Sequence, residues 1–267
     1  MIRKVLYILS ISLLLMYPAN AGSEGSEDLS KSESSTKECF EGVSRAMFKL
    51  NHGLDKAIFK PIAKGYRALP APIRKGTGNA VDNLRSLLTF SNNVLQGDFR
   101  RAGNTAARFG INTTAGILGI FDPATRLGFE DQGKEDFGQT LGAWGADSGC
   151  YFVLPILGPT TARDAIGLIG NTFLDPVYQI THNTEISNGV VGNSNYSEHN
   201  YYYYRGTSAV DFRAKNIESF ESLEENSIDL YASLKSLYLQ NRKQKIANST
   251  SAVETQDDSD WEEIDAN

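Results

Sequence analysis

The sequence has few of the residues on which catalytic and metal sites depend. Its 267 residues include two cysteines and three histidines, and no histidine has a second histidine or a cysteine at metal-ligand spacing. It contains neither the G-x-S-x-G elbow of serine hydrolases nor a P-loop. We therefore expect no enzyme activity, no catalytic residue, no metal and no cofactor. Aspartates such as Asp98, Asp122 and Asp136 are expected to cap helices, form turns or pair with cations.

A hydrophobic run long enough for an ordinary transmembrane helix is also missing. The most apolar stretch, VLYILSISLLLM, has 12 residues; it follows Arg3 and Lys4 and precedes an A-x-A site at residues 19–21. This arrangement is typical of a cleaved export signal over residues 1–21, with an uncleaved anchor as the alternative. We therefore expect an exported protein.

The two cysteines, Cys39 and Cys150, are too few to define a disulfide scaffold. An exported chain folds in an oxidising compartment, so the two could be bonded, and the sequence leaves both states open. Cys39 follows a polar stretch well beyond the apolar run, which is unlike a lipid-attachment site. The mature chain is therefore expected to carry no lipid.

The formal net charge of −6 conceals a basic body and an acidic tail. Residues 41–108 contain 12 Lys or Arg and four acids, whereas acids dominate after residue 253. This asymmetry indicates an anionic partner for the body, and export favours phospholipid or another envelope component over nucleic acid. Polar composition predicts a disordered lead at residues 22–38 and a disordered acidic tail at 247–267, on either side of one helical domain at 39–246.

The clearest helical pattern lies at residues 41–60, EGVSRAMFKLNHGLDKAIFK, where apolar and basic residues fall on nearly opposite faces. An ordinary surface helix with its apolar side on the core has this pattern. An interfacial helix on an anionic lipid surface has it as well. The apolar face holds Val43, Met47, Leu50, Leu54 and Ile58, and the candidate headgroup contacts on the basic face are Arg45, Lys49, Lys56 and Lys60.

Helical spacing recurs along the rest of the chain, while strand signals are scarce. The stretch YFVLPIL is the one strand candidate, and its proline argues against a central strand. The sequence thus predicts a mostly α-helical fold. The helical positions are Ile73, Thr77, Val81 and Leu84 in one helix, and Ala165, Ile166, Ile169 and Phe173, expected to face inward, in another.

Two further segments are candidates for lipid contact. FGINTTAGILGIF, at residues 109–121, carries no charge and is too short to cross a membrane as a helix. It forms either part of the core or a loop that dips into lipid. The aromatic run Tyr201–Tyr204 is expected to form either a membrane-interface belt or a partly buried loop. The candidate lipid-path residues in the uncharged segment are Ile117, Leu118, Ile120 and Phe121.

Several stretches together resemble the MlaA/VacJ family. The resemblance covers about residues 39–245 and rests on the order and spacing of the blocks rather than on any one block. The blocks are EGVSRAMFKLNHGLDKAIFKPIAKGYRALP, LLTFSNNVLQGD, ARFGINTTAGILGIFDPAT, EDFGQTLGAWG, GCYFVLPILGPTTARDAIG and DLYASLKSLYLQ.

The resemblance implies a ring-like, single-domain helical protein with proline-rich bends and an amphipathic central channel, set in the inner leaflet of the bacterial outer membrane. Such proteins remove mislocalised phospholipids from the outer leaflet and are not enzymes. They work with an outer-membrane porin trimer and pass the lipid to a periplasmic carrier of the MlaC type. The resemblance also places Met47 near the channel, and we add Leu50 to the candidate lipid path.

The most telling block, FVLPILGPTTARD at residues 152–164, suggests a structural role beside such a channel. Two prolines and a glycine stiffen a bend among apolar residues, and an Arg-Asp pair follows. We expect its apolar residues, Leu154 among them, to form channel wall. The residues expected to brace this wall are Pro155, Gly158, Pro159, Arg163 and Asp164.

Two features depart from the family pattern. Family members are commonly lipoproteins, whereas this export signal has no lipid-attachment cysteine. Val43 and Ser44 replace the aromatic residue and the asparagine of the usual EGFNR. The alternatives to transport are an envelope- or porin-associated interaction protein that moves no lipid and, ranked last, an exported hydrolase.

Overall fold

The computed structural model describes residues 36–182 and 198–247. The predicted export signal, the acidic tail beyond residue 247 and most of the predicted lead lie outside these residues. The end of that lead belongs to the ordered fold. The carbonyl oxygen of Lys37 accepts a hydrogen bond from the amide of Tyr151 at 2.9 Å, and the Glu38 carboxylate pairs with Lys235 at 2.6 Å.

The described residues are mostly helical, as the sequence predicts. None of their helices is both long enough and apolar enough to cross a membrane. The elements are α1 (Glu41–Leu54), a π-helical turn (Asp55–Phe59), α2 (Lys60–Arg67), α3 (Ala71–Leu95), α4 (Phe99–Thr114), α5 (Pro123–Arg126), α6 (Phe137–Ala143), β1 (Tyr151–Leu154), β2 (Gly158–Thr161), α7 (Ala162–Leu174), α8 (Pro176–His182), α9 (Glu198–Lys215), α10 (Ile217–Asn226) and α11 (Leu230–Ile246).

Polar side chains at the helix starts set several of these boundaries. Each accepts a hydrogen bond from a backbone amide three residues further on and so satisfies a donor that the first turn leaves free. The aspartates singled out in the sequence therefore act as helix caps. The capping residues are Asp98 for α4, Asp122 for α5, Asp136 for α6, Thr161 for α7 and Asp229 for α11.

The strand candidate forms the first half of a short antiparallel hairpin, in which Tyr151 pairs with Thr161 and Leu154 with Gly158. Pro155 follows the last residue of β1 and lies in the turn, where it removes no ladder hydrogen bond. Asn51 of α1 fastens this turn, because its side chain donates to the Leu154 carbonyl at 2.8 Å and accepts from the Ile156 amide at 2.7 Å.

A disulfide joins the segment before α1 to the start of the hairpin. Cys39 and Cys150 are bonded to each other across 111 positions of sequence. The parallel bridge between Glu38 and Tyr151 lies beside the bond. The structure thus resolves a pairing that the sequence left open.

The helices pack through close approaches that small residues allow. α3 packs against α4, α6 against α7, and α9 against α2, α3 and α8. At Gly167 of α7, an added Cβ would lie 2.5 Å from the backbone nitrogen of Gly138 in α6. Because only glycine has no Cβ, these two helices could not approach so closely with another residue at this position.

Polar residues occupy much of the interior, and large apolar residues much of the surface. Among the described residues, more polar or charged side chains than hydrophobic ones are buried. In α7 the buried residues are Arg163, Asp164 and Gly167. Ile166, Ile169 and Phe173 are exposed, so the prediction that this apolar stripe faces inward is wrong. The inner side of α7 is instead taken by a charge network and the close approach at Gly167.

Candidate functional site

A cavity of about 1280 Å³ lies beside α3 and is far larger than two others among the described residues, of about 100 and 190 Å³. It exceeds the roughly 300–1,000 Å³ typical of small-molecule sites. Three segments that are distant in sequence form its walls: α3, the turn between α4 and α5, and α9. Their apolar or aromatic lining residues include Ile73, Ala80, Val81, Leu84, Ala115, Ile120, Phe121, Tyr203 and Tyr204.

The α3 wall is the helical stripe that the sequence pattern marks at residues 73–84. All four marked residues line the cavity: Ile73, Thr77, Val81 and Leu84. Only Val81 is fully buried, while Ile73 is 53% and Leu84 38% exposed. The sequence indicated the helix but not its role, because an apolar helical stripe more often faces a core than a cavity.

Polar groups also line this cavity and supply positive charge. Lys75 and Arg126 are exposed, and neither has an ion-pair partner among the described residues. Burial favours a raised pKa for the Asp122 carboxyl, but hydrogen bonds from Thr125, Asn112 and Arg108 outweigh it and lower that pKa. Asp122 is therefore a bound carboxylate, and the free charges at this cavity are positive.

The turn after α4 carries the end of the uncharged segment and projects apolar side chains. Ile117 and Leu118 adopt positive φ values of 54° and 55° and are 59% and 71% exposed. Gly119 has φ 87°, and a Cβ there would lie 2.5 Å from the Cβ of Asn83. Residues 109–121 were expected to form either part of the core or a loop that dips into lipid. The exposed tip of this segment, Ile117 and Leu118, is not part of the core. Ile120 and Phe121 line the cavity, whereas Ile117 and Leu118 do not.

The other candidate lipid-path residues lie elsewhere. Met47 packs beside a small buried cluster that contains Tyr151, Val153 and Tyr231. Leu50 is 48% exposed on α1, and Leu154 is half-buried in β1. None of the three lines the large cavity, and their place on a lipid path stays a prediction.

Three of the four candidate headgroup cations are already paired with carboxylates. Arg45 binds Asp229 at 2.9 Å and also Glu41 at 2.8 Å. Lys56 and Lys60 pair with two glutamates of α10, whereas Lys49 is exposed with no ion-pair partner among the described residues. These pairs are part of a row of ion pairs along α10. Glu218 pairs with Arg67, Glu221 with Lys60 and Lys64, and Glu224 with Lys56. The three acids recur every three residues in the sequence, which is a signal that they share one helix face.

The predicted brace is part of a larger buried charge network. Arg163 donates to Asp164 at 3.2 Å and to the carbonyl oxygen of Ala146, also at 3.2 Å. Asp164 further accepts from Arg242 at 2.8 Å and from the Tyr238 hydroxyl. The same Arg242 binds Asp136 through two bonds of 2.7 and 3.0 Å. Arg242 thus connects the starts of α6 and α7 to the end of α11.

This network keeps both carboxylates charged. Burial alone would raise the pKa of Asp136, but hydrogen bonds and charge from Arg242 lower it to about 2. Burial also opposes ionisation of Asp164, and the neighbouring charge of Arg242 and the bonds from Arg242 and Tyr238 again lower the pKa. The arrangement suits a structural anchor, since both carboxylate oxygens of Asp136 and of Asp164 accept hydrogen bonds within the protein.

The aromatic run begins a helix rather than a loop. Tyr201–Tyr204 lie in α9, with Tyr204 buried and Tyr202 and Tyr203 more than 60% exposed. Burial raises the pKa of Tyr204 to about 12, so this hydroxyl is neutral at physiological pH. Tyr203 and Tyr204 add aromatic surface to the large cavity. No cluster of metal-ligating side chains was found in the two described ranges.

The fold is helical, its large cavity is open and mainly apolar, and many large apolar side chains are exposed on its surface. These features define a class of helical proteins suited to amphipathic ligands. The MlaA lipoprotein family model matches residues 36–245. The chain belongs to this family. The name of the family includes lipoprotein, whereas the sequence predicts no lipidation here, and that prediction stays untested.

Individual relatives agree with the family match. The chain is 31% identical over 242 residues to the intermembrane phospholipid transport system lipoprotein MlaA of Haemophilus influenzae, which covers 88% of this chain and 89% of that protein. It is 38% identical over 146 residues to a protein of Rickettsia prowazekii, with 54% of this chain and 58% of that protein covered. A solved structure, reported as the structural basis for maintenance of bacterial outer membrane lipid asymmetry, matches at a TM-score of 0.64 and 29% identity, over 79% of this chain and 99% of that one.

Proposed function

We propose that this protein transfers phospholipid within the bacterial envelope and that the large cavity shelters the acyl chains during transfer. In this proposal the protein removes mislocalised phospholipid from the outer leaflet of the outer membrane through an amphipathic channel, of which the cavity is part. It makes and breaks no covalent bonds. The similar protein of Haemophilus influenzae is named for intermembrane phospholipid transport, which supports this assignment.

The observation that carries the proposal is the cavity of about 1280 Å³ with its apolar walls. Each methylene buried from water is worth about 0.8 kcal/mol, so moving one chain of about 16 carbons through water costs on the order of 12 kcal/mol. An apolar path removes most of this barrier. Lys75 and Arg126 line the same cavity, and their positive charges are suited to binding the lipid phosphate. A path for hydrocarbon alone would need no such charges.

The exposed apolar residues support a seat in a lipid leaflet. Ile117 and Leu118 of the turn, Ile156 and Leu157 of the hairpin, and the outward stripe of α7 are exposed. Large apolar side chains exposed together, as in each of these three segments, are typical of membrane and protein interfaces. We place this surface in the inner leaflet of the outer membrane, on its periplasmic face, where the protein is held without crossing the membrane.

Two partners complete the proposed route. An outer-membrane porin trimer would hold the protein at the leaflet boundary, and a periplasmic carrier of the MlaC type would receive the lipid. The expected arrival by a cleaved, unlipidated export signal is tested by mass spectrometry of the mature N-terminus. A diacylated cysteine at the N-terminus would contradict it.

Transport and mere association are separated in a deletion strain. We expect phospholipid to accumulate in the outer leaflet when the protein is absent and to return to normal when the wild-type chain is restored. Leu84→Asp, which places a charge in the cavity wall, should fail to restore it. Leu168→Asp is the matched control, because Leu168 has nearly the same exposure, 37% against 38%, and does not line the cavity. Unchanged leaflet composition on deletion would favour a porin-associated protein that moves no lipid.

A further inference from the structure

A smaller cavity, of about 100 Å³, adjoins the large one, because Asn79 and Asp122 line both. It lies between α3, α4 and the loop at residues 131–134, and we call it the polar cavity. Apart from Gly133, every described residue that lines it has a polar or charged side chain. A large apolar cavity that borders a small polar one matches the two parts of an amphipathic ligand.

The charged residues of the polar cavity leave one charge unpaired, and that charge is negative. Lys134 pairs with Asp82, and Arg108 binds Asp122 at 3.0 Å. Asp131 is the remaining charged residue of the lining; it is exposed and has no ion-pair partner among the described residues. The polar cavity therefore favours a cation.

Two amide side chains of the polar cavity can accept hydrogen bonds from such a cation. Asn79 donates its Nδ2 to the carbonyl oxygen of Ile120 at 3.0 Å, and Asn104 donates to that of Glu130 at 2.9 Å. A carbonyl oxygen only accepts, so each asparagine must turn its nitrogen toward the carbonyl and keeps its Oδ1 as an acceptor. Both bonds are exposed, so a ligand can reach these side chains.

The large cavity supplies the opposite charge beside the polar one. Lys75 and Arg126 line it, and neither has an ion-pair partner among the described residues. Their positive charges suit a phosphate, whereas Asp131 in the adjoining cavity suits a cation. A zwitterionic phospholipid carries a phosphate and a cation in one headgroup, so it can satisfy both cavities at once.

The lining of the polar cavity favours a primary ammonium over a quaternary one. A primary ammonium has three N–H donors, which match the oxygens of Asp131, Asn79 and Asn104. A quaternary ammonium has no such donor and is typically recognised by aromatic rings. The described residues that line this cavity include no aromatic side chain.

We propose that the polar cavity recognises the headgroup of an ethanolamine phospholipid, whose ammonium donates to Asp131, Asn79 and Asn104. The phosphate lies toward Lys75 and Arg126, and the acyl chains occupy the large cavity. This inference rests on the proposed function, since it names the class of phospholipid that the protein transfers in preference.

The test measures the affinity of the purified full chain for dihexanoyl phospholipids, which differ only in their headgroups and are used below their micelle concentrations. The headgroups are ethanolamine, N-methylethanolamine, N,N-dimethylethanolamine, choline and glycerol. Affinity should fall along the methylated series to about tenfold weaker binding of the choline lipid, because the positive charge remains while the N–H donors are lost. The glycerol lipid, which has no cation, should also bind about tenfold more weakly than the ethanolamine lipid.

The matched variants are Asp131→Asn and Glu130→Gln. Asp131→Asn removes the charge and keeps an oxygen for the amide of Gly133, from which Oδ1 of Asp131 accepts a hydrogen bond at 3.0 Å. It should weaken binding of the ethanolamine lipid about tenfold and leave that of the glycerol lipid unchanged. Glu130 is also exposed but does not line the cavity, so Glu130→Gln should keep the wild-type preference.

The results distinguish this inference from the proposed function. Equal affinity of the wild type for the ethanolamine, choline and glycerol lipids would overturn the headgroup preference and leave phospholipid transfer standing. Failure to bind any of the phospholipids would overturn both. An ethanolamine preference that Asp131→Asn retains in full would overturn the place assigned to the ammonium. The headgroup comparison needs only the wild type, so it decides the question even if a variant does not fold.

Discussion

Arg242 connects three helices through two buried carboxylates, so its loss would affect the ends of all three. It binds Asp136 at the start of α6 and Asp164 at the start of α7. The adjacent pair Arg163 and Asp164 could be predicted, because charged neighbours beside a stiff bend suggest an anchor. Arg242 could not, because it lies 78 positions from Asp164 and meets it only through the packing of α11.

Replacing Arg242 should cost more stability than replacing Arg163. Arg242→Met leaves two buried carboxylates without their shared cation, which is expected to lower the free energy of unfolding by about 3–5 kcal/mol. Arg163→Met should cost less, about 1–3 kcal/mol, because Asp164 keeps Arg242 and Tyr238. Urea denaturation measures both, with the exposed neighbour Lys243→Met as control. Equal losses in the two variants would contradict this ranking.

The same network predicts a loss of stability in acid. The pKa of Asp136 is about 2 in the folded protein and about 3.9 in an unfolded chain, so its contribution is present above pH 4. That contribution, about 2 kcal/mol, is lost as the pH falls from about 4 to about 2. Asp136→Asn keeps a capping side chain and removes the titration. Between pH 5 and pH 2 the wild type should therefore lose about 2 kcal/mol more unfolding free energy than Asp136→Asn, and equal losses would exclude this role.

At the scale of elements, the sequence predicted the kind of element better than the side it presents. Periodicity indicated the helices. The residues YFVL form a strand although a proline follows them, because Pro155 lies in the turn after the strand. The stripe of Ile166, Ile169 and Phe173 was expected to face a core, but its face is exposed. Helical periodicity identifies an apolar face without saying whether protein, lipid or a partner covers it.

The turn after α4 provides a test of the proposed membrane seat. Ile117→Asp should reduce binding to phospholipid vesicles several-fold, because it places a charge where an apolar side chain would enter the leaflet. The substitution should not strain the fold, because Ile117 has a positive φ that aspartate adopts more readily than a β-branched residue. Cosedimentation with vesicles measures the effect.

The control for this variant is Ile228→Asp, which changes the same residue type at a fully exposed position outside the turn. It should bind vesicles as the wild type does. If Ile117→Asp also retained full binding, the exposed turn would not be a membrane contact, and a protein partner would be the better explanation of its apolar tip.

At the scale of the whole molecule, the mostly helical fold followed from the sequence, and the family followed from the order of its blocks. The large cavity did not, because its walls come from residues 71–84, 115–126 and 203–207. Only tertiary packing brings these segments together. The sequence pattern also could not predict that polar side chains are buried while many large apolar ones are exposed. That prediction requires knowing which face of each helix is covered.

The central claim is that the large cavity shelters phospholipid, and native mass spectrometry of the purified protein tests it most directly. We expect phospholipid bound to the wild type and to Leu168→Asp, and several-fold less bound to Leu84→Asp, whose charge lies in the cavity wall. Protein free of phospholipid, or equal occupancy in both variants, would contradict the account.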